Sequence, residues 1–148
     1  QKPFNVNFFG FMAKNSLYND FLNSGDIILS MSGGEGWGLP EFHSVAMGKH
    51  AVVLNASGYK SWANEANSIL VNPNGKTPAY DGMFFHEGQP FNQGNIYDFD
   101  PDEFVHACEE AIKRVEENKV NEAGLSLQND FTYEKTTDLI LEEIKKVQ

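Results

Sequence analysis

The chain has 148 residues, of which 41% are hydrophobic and 22% charged, which suits one folded domain and excludes a wholly disordered segment. Its formal net charge of −10 argues against nucleic acid or an anionic membrane surface as the main partner, because both bind clustered Lys and Arg. The single cysteine, Cys108, excludes an internal disulfide and favours a reducing, cytoplasmic compartment.

The first half of the chain predicts buried strands separated by helices. Continuous apolar runs predict strands at residues 6–9, 26–31, 50–54 and 68–71. Leu17 and Phe21 have helical spacing before Gly25, and Pro40 suits the first turn of a second helix that Gly48 closes. Since these strands do not alternate in polarity, the pattern predicts an α/β fold with a mainly parallel, doubly wound sheet and helices on both faces.

The second half predicts a long irregular segment followed by helices. Residues 72–100 show no clear element, but five aromatic residues predict that this segment folds against the body; they are Tyr80, Phe84, Phe85, Phe91 and Tyr97. Asp100 is predicted to cap a helix that begins at Pro101. Thr132 is predicted to cap a last helix, and its apolar residues are expected to be buried; they are Leu139, Ile140 and Ile144.

A glycine-rich loop at residues 32–39 lies between a predicted strand and a predicted helix. Its glycines would let backbone amides approach a ligand, and the helix N-terminus beyond it suits a phosphate or diphosphate. Glu35 is the one charged side chain of the loop, and it would repel a phosphate unless it faced neutral groups such as sugar hydroxyls. The loop is neither a P-loop nor a dinucleotide fingerprint. Glycine spacing alone leaves a second interpretation open, a tight turn without a ligand.

The residues of this loop also resemble a known family. Ser32-x-x-Glu35-Gly36-Trp37-Gly38-Leu39-Pro40, followed by Ala46-Met47-x-Lys49 and a buried strand, resembles the signature of retaining glycosyltransferases of the GT-B fold, family 4 type. That signature reads S-x-x-E-G-F/W-G-L-P-x-x-E-A-M-A-x-G-x-P-V-V. The resemblance covers nearly the whole chain. It implies a Rossmann-like C-terminal domain that binds a nucleotide sugar, with the N-terminal acceptor domain and the first strand-loop outside residues 1–148.

The resemblance implies roles for the loop residues. Glu35 would contact hydroxyls of the donor sugar. The backbone of Gly36, Trp37 and Gly38 would line that sugar. Amides around Gly38 and Leu39 would hold the diphosphate. No catalytic residue is identified, and neither a metal ion nor a cofactor is implied.

The resemblance also implies roles for three further residues, and at one of these positions the sequence differs from the family pattern. Backbone groups near Phe11 and Met12 would meet the nucleotide base. The family places a second glutamate eight residues after the first to bind the ribose, and here that position is His43. A neutral histidine makes one hydrogen bond from each nitrogen, so the ribose contact would be weaker. Glu41 lies two positions earlier and is expected to face elsewhere on the helix.

The function implied is glycosyl transfer from a nucleotide-diphosphate sugar to an acceptor hydroxyl, with retention of the anomer. Without its partner domain the chain is expected to be catalytically inactive. Two alternatives remain open: a sugar-nucleotide epimerase, and a non-catalytic domain for nucleotide-sugar binding or protein interaction. No run approaches the roughly 20 apolar residues of a membrane-spanning helix, which predicts no transmembrane segment.

Overall fold

A three-stranded parallel sheet forms the centre of the fold in the computed structural model, which describes residues 4–91 and 94–147. Its strands are β1 (Ile27–Ser30), β2 (His50–Leu54) and β3 (Ile69–Val71), in the order β1-β2-β3. The three predicted strands from residue 26 onward are therefore confirmed, together with their parallel pairing. The molecule is a mixed α/β protein.

The central strand β2 explains why both faces of the sheet are covered. All five of its residues are buried. Ala51 and Val53 join a core cluster on one face with Val45, whereas Val52 and Leu54 join a second cluster on the other face. Side chains alternate between the faces of a strand, so a strand that is buried along its whole length must be packed on each side.

Helices supply that packing. They are α1 (Asn15–Ser24), α2 (Leu39–Ala46), α3 (Pro101–Glu117), α4 (Glu122–Leu125), α5 (Leu127–Asp130) and α6 (Tyr133–Lys146), and a short 3-10 helix spans Ser57–Ser61. α2 packs in the first cluster through Val45, and α3 packs in the second through Ala107 and Ala111. Both predicted caps are confirmed: Asp100 accepts from the N–H groups that open α3, and Thr132 accepts from Lys135 N–H at the start of α6.

One buried asparagine ties the sheet to the short helices. Asn121 Nδ2 donates to the carbonyl oxygens of Lys49 at 3.0 Å and Asn67 at 2.8 Å. Its Oδ1 accepts from Gly124 N–H at 3.0 Å. The side chain thus satisfies backbone groups before β2, before β3 and in α4, and it sets where α4 begins.

The predicted strand at residues 6–9 is wrong. Those residues have no strand conformation, and Val6 and Phe8 are 61% and 95% exposed. A strand needs a neighbour for its backbone hydrogen bonds, and within residues 4–91 and 94–147 none pairs with this run. Its contact with the body includes the ring of Phe9, which lies 5.1 Å from that of Phe21 in α1.

The predicted burial of the last helix is also wrong. No residue of α6 is buried, and Leu139, Ile140 and Ile144 are each about half exposed or more. Helical periodicity gives a helix an apolar face, but it does not identify a surface that covers that face. Within the described chain, α6 extends from its cap with this face open.

Two strands within residues 72–100 form an antiparallel pair that the sequence did not predict. β4 (Pro73–Pro78) pairs with β5 (Asn95–Phe99). β4 contains two prolines and a glycine, and because these residues are rare within strands, its sequence does not predict a strand. Tyr97 packs on the second core cluster, as expected, but four other aromatic residues remain exposed, contrary to expectation; they are Tyr80, Phe84, Phe85 and Phe91.

The segment that leaves β4 is held by one carboxylate. Asp81 Oδ1 accepts from the N–H groups of Met83, Phe84 and Phe85, each at 2.8 Å. Because these bonds favour the charged form, they lower the pKa of Asp81. This turn therefore has defined geometry although its aromatic side chains face solvent.

Candidate functional site

The glycine-rich loop lies at the carboxyl edge of the parallel sheet. It joins β1 to α2, and the 3-10 helix follows β2 at the same edge. Two hydrogen bonds connect them: Glu35 N–H donates to Ser57 Oγ at 3.1 Å, and Gly58 N–H donates to Glu35 O at 2.9 Å. Open α/β sheets place ligands at this edge, so the loop has the expected location for a binding site.

Packing alone accounts for two of the loop glycines. A Cβ on Gly33 would lie 2.3 Å from Tyr97 O, because β5 passes directly over that residue. A Cβ on Gly38 would lie 2.2 Å from Tyr59 Cε1, and the φ of Gly38 is +76°. These two positions fit the interpretation of a tight turn without a ligand.

Gly36 is different, because packing does not require it to be a glycine. Its chain neighbours aside, no heavy atom of residues 4–91 and 94–147 lies within 4 Å of the position that a Cβ would take. The backbone of Gly36 is itself packed against Gly58, whose own Cβ would lie 2.5 Å from Gly36 O. One side of this residue is thus fixed to the body while the side-chain position faces open space. A ligand could approach the backbone there.

Unpaired backbone donors follow Gly36 in the chain. α2 begins without a side-chain cap, and its first backbone bond runs from Phe42 N–H to Gly38 O. Across the described residues, the N–H groups of Trp37, Gly38 and Leu39 have no protein acceptor. Together with the positive end of the helix dipole, these amides provide a place for an anion that needs no basic side chain.

Glu35 is held in place through its backbone. Both its N–H and its carbonyl are bonded to the 3-10 helix, and the residue is half-buried. In the part of the chain that the structure describes, its carboxylate makes no hydrogen bond or ion pair. An acceptor with a fixed backbone and a free carboxylate can bind hydroxyl groups of a ligand.

Two buried groups underlie the loop. Tyr59 is fully buried, and its hydroxyl lies 2.8 Å from Ser30 Oγ at the end of β1. Burial raises the pKa of Tyr59 to about 12, and the negative charges of Glu41 and Glu35 act in the same direction. Glu41 is 9% exposed, with Oε2 only 3.1 Å from the Cβ position of Gly38. Glu41 therefore lies against Gly38 of the loop, whereas His43 contacts Tyr18, so the two side chains point in different directions, as helix geometry predicts.

Glu41 was not among the predicted site residues, although its position in the sequence indicated that it would lie close to the loop. It is the third residue of α2, and a glutamate there commonly reaches back toward the residue that caps the helix. In this chain the cap is Gly38, which belongs to the glycine-rich loop. The position of Glu41 relative to the start of α2, rather than a family motif, indicates that its side chain lies near the loop.

His43 makes its contacts on the side of α2 that faces α1. Its Nδ1 lies 3.3 Å from the hydroxyl of Tyr18, and the two rings meet edge-on with centroids 6.0 Å apart. Burial raises the pKa of Tyr18, and the charge of Glu41 adds to that effect. The groove beside His43 is lined also by Asn15, Asn19, Ala46, Met47 and Gln128. The ribose role of His43 stays a prediction.

The predicted base-binding residues precede α1. Phe11 is almost fully exposed, and Met12 is half-buried. No hydrogen bond or ring contact between described residues joins either one to the glycine-rich loop. Their role also stays a prediction.

Residues 4–91 and 94–147 contain neither a candidate metal site nor a candidate membrane-spanning helix. No group of three or more His, Cys, Asp or Glu side chains there could hold a metal ion, and no helix there has the length and apolar character to cross a membrane. Comparison with protein-family models, curated proteins and solved structures gives no match to this chain.

Proposed function

We propose that this chain binds a nucleotide-diphosphate sugar, the donor in a glycosyl transfer. On this proposal it is the Rossmann-like C-terminal domain of a retaining glycosyltransferase of the GT-B fold, working with an N-terminal acceptor-binding domain. The observation that carries the proposal is Gly36. Packing does not require a glycine there, and in the chain the residue lies between Glu35, whose carboxylate is free, and the unpaired amides at the start of α2.

The loop offers two kinds of contact that match the two parts of such a ligand. The N–H groups of Gly38 and Leu39 would hold the diphosphate, and the dipole of α2 would stabilise the negative charge that develops as the diphosphate leaves. The carboxylate of Glu35 would accept hydrogen bonds from sugar hydroxyls. Because the anion is held by backbone groups, the net charge of −10 does not oppose this mode of binding.

Calorimetric titration of the 148-residue chain tests this proposal. The ligands are UDP, GDP and ADP, each alone and as its glucose conjugate. At least one nucleotide should bind, and its sugar conjugate should bind more tightly. Glu35→Ala should weaken the sugar conjugate by about 1.5–3 kcal/mol and leave the bare nucleotide nearly unchanged. Glu65→Ala removes an exposed carboxylate outside the loop and serves as the control.

Two outcomes would count against this function. If no nucleotide binds, the diphosphate role of the loop is wrong. If Glu35→Ala weakens both forms of the ligand equally, Glu35 does not contact the sugar. Nucleotide-sugar turnover without an acceptor would instead indicate an epimerase.

A further inference from the structure

The carboxylate of Glu41 is buried with its hydrogen-bonding capacity unsatisfied. About nine-tenths of the residue is buried, yet within residues 4–91 and 94–147 its carboxylate accepts no hydrogen bond and forms no ion pair. Its oxygens are not among the fully enclosed polar atoms, so they keep a small opening to the outside. A buried charge without partners destabilises a folded protein.

The neighbouring groups of the chain do not meet this requirement. Gly38 N–H, the usual partner of a glutamate at this helix position, does not donate to it. The hydroxyl of Tyr59 is paired with Ser30, and the hydroxyl of Tyr18 lies against His43. The helix dipole offers only partial compensation.

We propose that Glu41 accepts hydrogen bonds from a vicinal pair of hydroxyls on the ligand that the loop binds. A carboxylate has two oxygens and can accept from both hydroxyls of such a pair. A cation would also pair with Glu41, but it would face the unpaired N–H groups of Gly38 and Leu39, which repel positive charge. A ligand with an anionic group for these amides and hydroxyls for Glu41 satisfies both.

This inference rests on the proposed function, in which the ligand is a nucleotide-diphosphate sugar. Such a ligand carries two sources of vicinal hydroxyls, the ribose and the donor sugar. The chemistry at Glu41 is the same for both. The choice of ligands in the experiment separates them.

The test substitutes Glu41→Gln, which keeps the shape and removes the charge, with the exposed Glu116→Gln as the matched control. Calorimetry measures binding of UDP, GDP and ADP, of their 2′-deoxy analogues, of their glucose conjugates and of inorganic pyrophosphate. If Glu41 contacts the ribose, E41Q should lower the affinity for the ribonucleotide about tenfold and leave its 2′-deoxy analogue and pyrophosphate unchanged. If it contacts the donor sugar, only the glucose conjugate should lose affinity.

Stability supplies an independent measurement. Without ligand, E41Q should melt at the same temperature as the wild type or higher, because an unpaired buried charge has been removed. An E41Q protein that melts lower or does not fold would overturn the proposal, since the carboxylate would then be structural. Unchanged affinity for every ligand, or equal loss for pyrophosphate, would also overturn it. If the wild-type protein binds no nucleotide, the proposed function is wrong, and the inference about Glu41 that rests on it is wrong as well.

Discussion

Gly33→Ala tests the contact between the hairpin and the glycine-rich loop. The added Cβ would lie 2.3 Å from Tyr97 O, 3.0 Å from Ile96 Cβ and 3.1 Å from Tyr97 N. Two of these three atoms belong to the backbone of β5, which cannot turn away as a flexible side chain can. The hairpin must therefore shift away from the loop, and the 2.9 Å bond from Tyr97 N–H to Gly33 O would stretch or break.

The expected loss can be estimated from these contacts. Inserting a methyl group against fixed neighbours costs about 1–3 kcal/mol. Loss of one backbone hydrogen bond adds about 1 kcal/mol. The smaller backbone entropy of alanine in the unfolded chain offsets about 0.4–1 kcal/mol. The net loss is about 1–3.5 kcal/mol, which corresponds to a fall in melting temperature of roughly 3–11 °C for a chain of this length.

Urea denaturation and calorimetry would measure this loss against two controls. Gly36→Ala meets open space, and Gly34→Ala meets Ile96 Cγ2 at an ordinary 3.6 Å, so both should stay within about 0.5 kcal/mol of the wild type. Faster hydrogen exchange at the Tyr97 amide should accompany the Gly33 variant. Equal stability of the Gly33 and Gly36 variants would refute the close approach of β5 to the loop.

Two other stability predictions concern buried polar groups. Tyr59→Phe should lower the free energy of unfolding by about 1 kcal/mol at pH 7, as urea titrations would show, because it removes the bond to Ser30. The raised pKa of Tyr59, about 12 against an ordinary 10, means that the folded state keeps a proton that the unfolded state loses. The stability of the wild type relative to Tyr59→Phe should therefore hold below pH 10 and fall between pH 10 and 12 by up to about 3 kcal/mol; a pH-independent difference would contradict this. Asn121→Ala should lose about 2–4 kcal/mol by thermal unfolding because it leaves the Lys49 and Asn67 carbonyls without their donor, whereas the exposed Asn129→Ala should be nearly neutral.

The sequence predicted those parts of the fold whose burial is dictated locally. Residues 51–54 are all apolar, and a continuous apolar run between predicted helices is typical of a parallel strand that is buried on both faces. The caps at Asp100 and Thr132 depend on neighbouring residues only, so they too could be predicted. The location of the glycine-rich loop followed from the same local order of strand, loop and helix.

The parts that were missed depend on contacts between distant residues. β4 becomes a strand through its pairing with β5, since its own residues Pro73, Gly75 and Pro78 disfavour one. Glu41 lies against the loop because α2 starts at Leu39, which makes Glu41 the third residue of the helix, and the exact start of a helix is difficult to predict from sequence. The run at residues 6–9 has strand composition, yet composition does not provide a partner strand.

The exposed position of α6 has a consequence for the dynamics of the chain. Since none of its 14 residues is buried, the helix shares little of the free energy that holds the sheet together. An isolated helix of this length is only marginally stable in water. Its amides should therefore exchange with solvent through local opening of the helix, at rates independent of the unfolding of the core. Denaturant should expose the amides of β2 at much higher concentration than those of α6.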